Sequence, residues 1–291
     1  MSKGNVISVS FASEGSLVAM RRTNTFLNKF IALIACNVVL LGYMFSKPTH
    51  AAELINSPVT SCEVLHWNRK EFSRPLLYVD KPGKYCIDQD YRFSCSEWMG
   101  SCGSSPFLQI IASDVEVDMR GHTFSRSGRP LEIFGRGRNI FIKNGEIKNG
   151  YININAPRSS GFFVGDNFTH IENVRVETGC IHIFAANAIV RNNDVVASKD
   201  CTTPLTIVGP HPTIEKNRLT TVAGAFDAAR YGIDLSEGEG AVVRGNTILN
   251  YGPRENTGAV VLRDGDGVQM ENNHVDNFEQ AVMRTGTSTG Q

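Results

Sequence analysis

A short pattern recurs along the chain between Met119 and Val275: an apolar residue, a turn rich in Asn or Gly, and a second apolar residue five positions after the first. The apolar pairs are Met119/Phe124, Ile142/Ile147, Ile171/Val176, Val190/Val195, Ile214/Leu219, Val243/Ile248 and Met270/Val275. The turns contain Gly121, Asn144-Gly145, Asn173, Asn192-Asn193, Asn217, Gly245-Asn246 and Asn272-Asn273. Repeats spaced by about 20–30 residues without a helical pattern indicate a β-solenoid, in which each repeat is one coil stacked on the next.

Asn and Gly suit these turns for two physical reasons. A tight corner between strands needs a residue with positive φ, which Gly and Asn adopt more readily than other residues. Stacking also places equivalent residues about 4.8 Å apart. An Asn side chain carries both a donor and an acceptor, so it can bond to the Asn above and the Asn below. The sequence therefore predicts files of stacked asparagines along the corners.

A second pattern, apolar-x-apolar, predicts a third strand in each coil. It occurs at Ile152/Ile154, Ile181/Ile183, Leu205/Ile207, Ile233/Leu235, Val260/Leu262 and Ala281/Met283. Alternate strand residues face opposite ways, so these apolar pairs fill the interior. The residues between them form a predicted outward column of Asn153, His182, Thr206, Asp234, Val261 and Val282. A second outward column contains Asn155, Phe184, Val208, Ser236, Arg263 and Arg284. The predicted fold is all-β with three strands per coil.

The first fifty residues have a different character. A basic segment from Met20 to Lys29 precedes an apolar run from Phe30 to Phe45, and small residues follow at Ala51 and Ala52. This order is typical of a secretory signal, and the apolar run is shorter than the roughly 20 residues of a membrane-spanning helix. We predict that residues 1–19 precede the true start of the protein and that residues 20–52 form a signal peptide. We also predict export to the periplasm or exterior of a Gram-negative bacterium. No membrane contact is expected after cleavage, with a retained anchor as the alternative.

Cysteine usage agrees with export. The chain has 7 cysteines; Cys36 lies in the predicted signal, which leaves an even number for an oxidising compartment. Cys180 and Cys201 are separated by about one coil, so stacking predicts a disulfide between them. Cys95 and Cys102 can close a small loop, which leaves Cys62 with Cys86, although other pairings of these four remain open.

The segments from Asp114 to Phe124 and from Asn139 to Ile147 resemble the opening coils of exported right-handed parallel β-helix proteins of the pectate-lyase-like superfold. The resemblance covers about Leu76 to the C-terminus. We expect an N-terminal cap with the first strands at 53–107, because a bare solenoid end exposes unpaired strand edges, and the helix itself at 108–291. The superfold includes lyases, hydrolases, epimerases, esterases and binding proteins. It implies an active groove on the strand face that carries Asn153, His182, Thr206 and Asp234.

Long connections, where sites are often built, occur at 223–231 and 250–258, near several acids and arginines. A lyase for acidic sugars needs a cation against the uronate carboxylate, often Ca²⁺, and a base that removes the adjacent proton. The candidate Ca²⁺ ligands are Asp227, Asp234, Glu237 and Asp264. By analogy with the superfold, the candidate catalytic residues are Arg230, Arg254, Arg263 and His182, and the candidate substrate contacts are Asn153, Thr206 and Tyr231. The alternative is an ordinary salt-bridged surface.

The leading hypothesis is an exported protein that acts on or binds polysaccharide, with acidic-glycan lyase or epimerase chemistry as its catalytic form. The rival is a non-catalytic surface or periplasmic scaffold. Nucleic acid is not expected as a partner, because 29 basic and 29 acidic residues cancel and no basic stripe occurs. The tail after Arg284 has no apolar residue to cover the last coil, so self-association through this open edge is also predicted.

Overall fold

The computed structural model describes residues 6–9, 61–66, 77–94, 106–127, 130–159, 162–163, 167–223 and 230–285. The first strands are β1 (Val6–Val9), β2 (Glu63–Val64), β3 (Leu77–Val79), β4 (Gly83–Cys86), β5 (Tyr91–Ser94), β6 (Leu108–Ile110), β7 (Val115–Asp118), β8 (Thr123–Ser127) and β9 (Leu131–Gly135). They are followed by β10 (Ile140–Lys148), β11 (Gly150–Asn155), β12 (Arg158–Ser159), β13 (Phe162–Phe163), β14 (Thr169–Glu177), β15 (Cys180–Phe184), β16 (Ile189–Arg191), β17 (Asp194–Val196) and β18 (Leu205–Val208). The last are β19 (Thr213–Glu215), β20 (Arg218–Thr221), β21 (Arg230–Ser236), β22 (Val242–Arg244), β23 (Thr247–Asn250), β24 (Thr257–Arg263), β25 (Gln269–Asp276) and β26 (Gln280–Arg284).

Apart from β1 and the pair β12–β13, which are antiparallel, these strands stack in parallel as a solenoid, which confirms the predicted fold. Sheet A receives two strands from most coils, for example β19 and β20, and sheet B receives one, for example β21. The order in sheet B is β3-β6-β9-β11-β15-β18-β21-β24-β26, so each coil pairs with its neighbours along the chain. The predicted signal peptide, 20–52, and the cysteines Cys95 and Cys102 lie outside the described residues. Within the described ranges, no helix is long and apolar enough to span a membrane.

The interior is filled by the two apolar patterns. The paired residues from Met119/Phe124 to Val243/Ile248, and those from Ile152/Ile154 to Val260/Leu262, are buried. In the last coil Met270 and Val275 are only partly buried, because no further coil covers them in the described part of the chain. One pairing differs from the prediction: Val117, not Met119, lies opposite Ile142. Met119 instead fills the space beside Gly145, where an added Cβ would clash with the Met119 side chain.

Two roles that were predicted for the same corner residues, positive φ and a stacked amide, belong to neighbouring residues. Positive φ occurs two positions after the first apolar residue of each pattern, at Gly121, Asn144, Asn173, Asn192, Lys216, Gly245 and Asn272. The following residue carries the stacked amide in four successive coils: Asn193, Asn217, Asn246 and Asn273, all buried. Each Nδ2 donates to the next Oδ1 at 3.0 Å. The asparagine file is therefore confirmed, and it lies inside the corner, whereas the positive-φ residue turns the chain.

Parallel stacking extends into the predicted cap. Strand β3 pairs with β6, and β4 pairs with both β2 and β7. The disulfide between Cys62 and Cys86, with Cα atoms 5.7 Å apart, joins this region, as one of the open pairings predicted. At the other end, β1 pairs antiparallel with β25, so Val6–Val9 lies along the edge of the last coil.

The predicted outward columns are wrong in the last coil. Val261 lies opposite Met283 and Leu262 lies opposite Arg284, so Val282 and Arg284 are one position away from their predicted columns. The physical reason is that Ala281, Val282 and Met283 are consecutive apolar residues, and a run without alternation does not determine which face points inward.

Candidate functional site

The outer face of sheet B carries one side chain per coil in continuous register. This row, which we call the sheet B row, consists of Tyr78, Gln109, Phe134, Asn153, His182, Thr206 and Asp234. The predicted column from Asn153 to Asp234 is therefore confirmed as an aligned row. It does not continue as an open surface, because the next member, Val261, is fully buried.

Asn153 is part of a polar group on the N-terminal side of this row. Its Nδ2 donates to Glu132 Oε1 at 3.1 Å, and its Oδ1 accepts from Asn155 Nδ2 at 2.9 Å. Tyr151 lies opposite Glu132, and burial together with this carboxylate raises the pKa of Tyr151. Glu132 and Phe134 were not predicted for this face, although Leu131-Glu132-Ile133 has the same apolar-x-apolar pattern as the later third strands.

His182 lies beside the disulfide between Cys180 and Cys201, which was correctly predicted. The two Cα atoms are 6.2 Å apart. Cys201 is not stacked directly on Cys180, because Ile181 pairs with Leu205, and Cys201 belongs to the connection before β18. Its Sγ lies 3.5 Å from His182 Nε2. Burial lowers the pKa of His182, and the charge of Asp234 opposes this shift only in part, so the imidazole is neutral at neutral pH.

Asp234 and Arg263 form a two-pronged ion pair between neighbouring coils. Arg263 Nε lies 2.9 Å from Asp234 Oδ1, and its Nη2 lies 3.1 Å from Oδ2. The guanidinium carbon is 5.4 Å from the centroid of the Tyr231 ring. The hydrogen bonds that Arg263 donates to Asp234 raise the pKa of Arg263. Arg263 is therefore held as a cation, which suits it to bind a carboxylate better than to accept a proton.

The other two candidate arginines hold the connection between β23 and β24. Arg230 is buried, and its Nη2 donates to the Pro253 carbonyl at 3.0 Å. Arg254 is exposed, and its Nε donates to the Phe278 carbonyl at 2.8 Å. Both residues thus have structural partners in this region, and their predicted catalytic role stays a prediction.

The candidate Ca²⁺ ligands do not come together among the described residues. Both oxygens of Asp234 accept from Arg263, and Glu237 and Asp264 are exposed corner residues with φ of 56° and 53°. The set of potential metal-binding side chains found in the described ranges is Cys180, His182 and Cys201, whose ligand atoms all lie within 4.8 Å of one another. Asp227 lies outside the described residues, so the Ca²⁺ site stays a prediction.

Sheet A presents a different outer surface. In-register side chains alternate in sign across successive coils: Asp118, Lys143, Glu172, Arg191, Glu215, Arg244 and Glu271. The closest pairs are Arg191–Glu172 at 2.9 Å and Arg244–Glu215 at 2.7 Å. This face neutralises its own charges, so the sheet B row is the better candidate for a site. The sequence analysis missed this alternation.

A family model described as a right handed beta helix region matches residues 108–290, which is more than half of the chain. No curated protein and no solved structure matches the chain significantly. The match covers the coils in which the parallel strands and the asparagine file occur. The chain therefore belongs to the right-handed β-helix family.

Proposed function

We propose that this protein binds an extended polysaccharide along the sheet B row. The observation that carries the proposal is the row itself, in which polar groups from Asn153 to Asp234 recur about every 4.8 Å along one face. A polymer of repeating units can meet such a surface at several points at once, and each contact strengthens the others because they are linked.

The chemistry of the row suits sugars. The amide of Asn153 and the hydroxyl of Thr206 can donate to and accept from sugar hydroxyls, and the carboxylate of Asp234 can accept from them. Tyr78 is 47% exposed and offers an aromatic face to apolar faces of the rings. Arg263, held as a cation beside Asp234, the last member of the row, can bind a carboxylate of an acidic glycan.

A second, catalytic function has one observation in its favour. His182 lies in the sheet B row between Asn153 and Thr206, and its imidazole, whose pKa burial lowers, can serve as the base that lyase and epimerase chemistry requires next to a uronate carboxylate. However, His182 is partly buried and its Nε2 faces Cys201 Sγ at 3.5 Å, so we rank binding first. Export is also proposed, because the disulfides Cys62–Cys86 and Cys180–Cys201 fit an oxidising compartment.

The test compares two threonines of similar burial on different faces, Thr206 in the sheet B row and Thr213 on sheet A. Immobilised acidic and neutral polysaccharides are used to measure the affinity of the full chain. Thr206→Val is expected to weaken binding about 2–10-fold, the value of one net hydrogen bond, and Thr213→Val is expected to leave it unchanged.

The same samples distinguish the two functions. A new ultraviolet absorbance from an unsaturated sugar product, lost in His182→Ala, would favour the lyase. Equal weakening by Thr206→Val and Thr213→Val, or no retention on any polysaccharide of the panel, would refute binding along this row.

A further inference from the structure

Three side chains on the outer face of sheet B converge in a way that glycan binding does not explain. Cys180 and His182 are alternate residues of β15, so both project from the same face. Cys201 reaches them from the connection between β17 and β18, where its backbone N donates to Ser198 Oγ at 3.0 Å. All three ligand atoms lie within 4.8 Å of one another.

The distance between two of these atoms already matches a metal site. In a tetrahedral Zn²⁺ site with Zn–S of about 2.3 Å and Zn–N of about 2.0–2.1 Å, a sulfur and a nitrogen ligand are about 3.5 Å apart. The distance between Cys201 Sγ and His182 Nε2 is 3.5 Å. The strand fixes Cys180 and His182 relative to each other, and Cys201 comes from the connection between β17 and β18.

The disulfide closes this site to metals, because its sulfurs are not thiolates. A dithiol reductant supplies two electrons and two protons, so that the sulfur–sulfur bond breaks into two thiols and the reductant becomes a disulfide. A bound Zn²⁺ then displaces one proton from each thiol. Two thiolates and one imidazole leave a fourth position for water, as in known three-ligand zinc sites.

We propose that reduction of the Cys180–Cys201 disulfide creates a Zn²⁺ site formed by Cys180, His182 and Cys201. The ion would lie on the sheet B row, because His182 has Asn153 and Thr206 as its in-register neighbours. Binding of the metal therefore depends on the redox state of the surroundings. This site does not depend on the proposed glycan function.

The other described disulfide provides a matched control. Cys62 and Cys86 are also held close together, with Cα atoms 5.7 Å apart. The neighbour of Cys62 Sγ is a guanidinium nitrogen of Arg120 at 2.8 Å, and a cation at this position opposes the binding of a metal ion.

The test uses Co²⁺ as a coloured substitute for Zn²⁺ with the full chain, kept anaerobic in excess reductant. Reduced protein is expected to bind one Co²⁺ with the charge-transfer bands of thiolate ligands and the visible bands of tetrahedral coordination, and Zn²⁺ is expected to displace it. His182→Ala is expected to weaken binding by at least about 10–100-fold, since even loss of an outer partner of a ligand costs that much. The double variant Cys62→Ser/Cys86→Ser is expected to bind normally.

Several results would overturn the proposal. They are the absence of thiolate bands in the reduced protein, undiminished bands in His182→Ala, or bands that disappear in Cys62→Ser/Cys86→Ser. Loss of the β-sheet circular dichroism on reduction, with no recovery when Zn²⁺ is added, would show that the reduced fold does not hold the site. Unchanged glycan binding in any of these samples would leave the proposed function intact.

Discussion

Substitution of Asn217 by Ala tests the asparagine file directly. Asn217 lies in the middle of the file and is 2% exposed. Its Oδ1 accepts from the backbone N and from Nδ2 of Asn193, both at 3.0 Å. Its Nδ2 donates to the Val190 carbonyl at 2.8 Å and to Asn246 Oδ1 at 3.0 Å. Asn217→Ala removes all four bonds and leaves buried groups in neighbouring coils without this partner.

The expected loss follows from these groups. Each buried donor or acceptor left unpaired costs about 1–3 kcal/mol, and the Asn193 backbone N–H and the Val190 carbonyl both lose the side-chain partner described. Asn217→Ala should therefore lower the free energy of unfolding by about 2–6 kcal/mol. The backbone adds no strain, because the positive φ of this corner, 57°, belongs to Lys216.

Urea unfolding followed by circular dichroism measures this loss. The control is Asn192→Gly in the adjacent coil, an exposed residue with φ of 56°, a conformation that Gly also adopts. Its effect should stay within about 0.5 kcal/mol. A loss below about 1 kcal/mol for Asn217→Ala, or an equal loss in the control, would show that the buried file does not stabilise the coils.

Three further predictions concern stability. Burial and Arg191 lower the pKa of His170 from 6.5 to about 4. The unfolded state therefore binds the proton more readily than the folded state. The free energy of unfolding should fall by about 2 kcal/mol, after allowance for partial exposure, as the pH decreases from about 6.5 to about 4. His170→Gln should reduce this dependence of the free energy of unfolding on pH, measured by urea unfolding. An unchanged pH dependence would contradict the prediction. Cys180→Ser/Cys201→Ser removes a cross-link between residues that are 21 positions apart, so it should lower the free energy of unfolding by about 3 kcal/mol. The measurement is the Tm, which should decrease, and an unaltered Tm would refute the estimate. Asp234→Asn should lower the free energy of unfolding, measured by urea unfolding, by no more than about 1 kcal/mol, because the Arg263 partner is partly exposed. A loss of several kcal/mol would show that the ion pair is effectively buried.

Much of the fold could be predicted because each coil repeats the same local requirements. A corner needs positive φ, and a stacked interior needs apolar residues at fixed positions, so the patterns around Ile142, Ile171 and Val190 predict the strands and their order. The prediction was wrong where the pattern is ambiguous. Met119 was matched to Ile142 because it is apolar and precedes a Gly, whereas the longer first corner places Val117 there.

The candidate site was less predictable, because its side chains interact between coils. Asp234 and Arg263 are 29 positions apart and meet only through stacking. The sequence places both on the outer face but does not say that they satisfy each other. The partner of His182, Cys201, comes from an irregular connection whose course no periodic pattern predicts.

The alternating charges on the outside of sheet A have a consequence for how the coils find their places. Every coil resembles its neighbours, so a folding chain can skip one and stack on the next. Such a skip would place Glu172 directly against Glu215, or Arg191 against Arg244, since residues two coils apart have the same sign. Like charges placed opposite each other are destabilising. The alternating charges therefore disfavour a misfolded state in which one coil is skipped, and they favour stacking of the coils in the order of the chain.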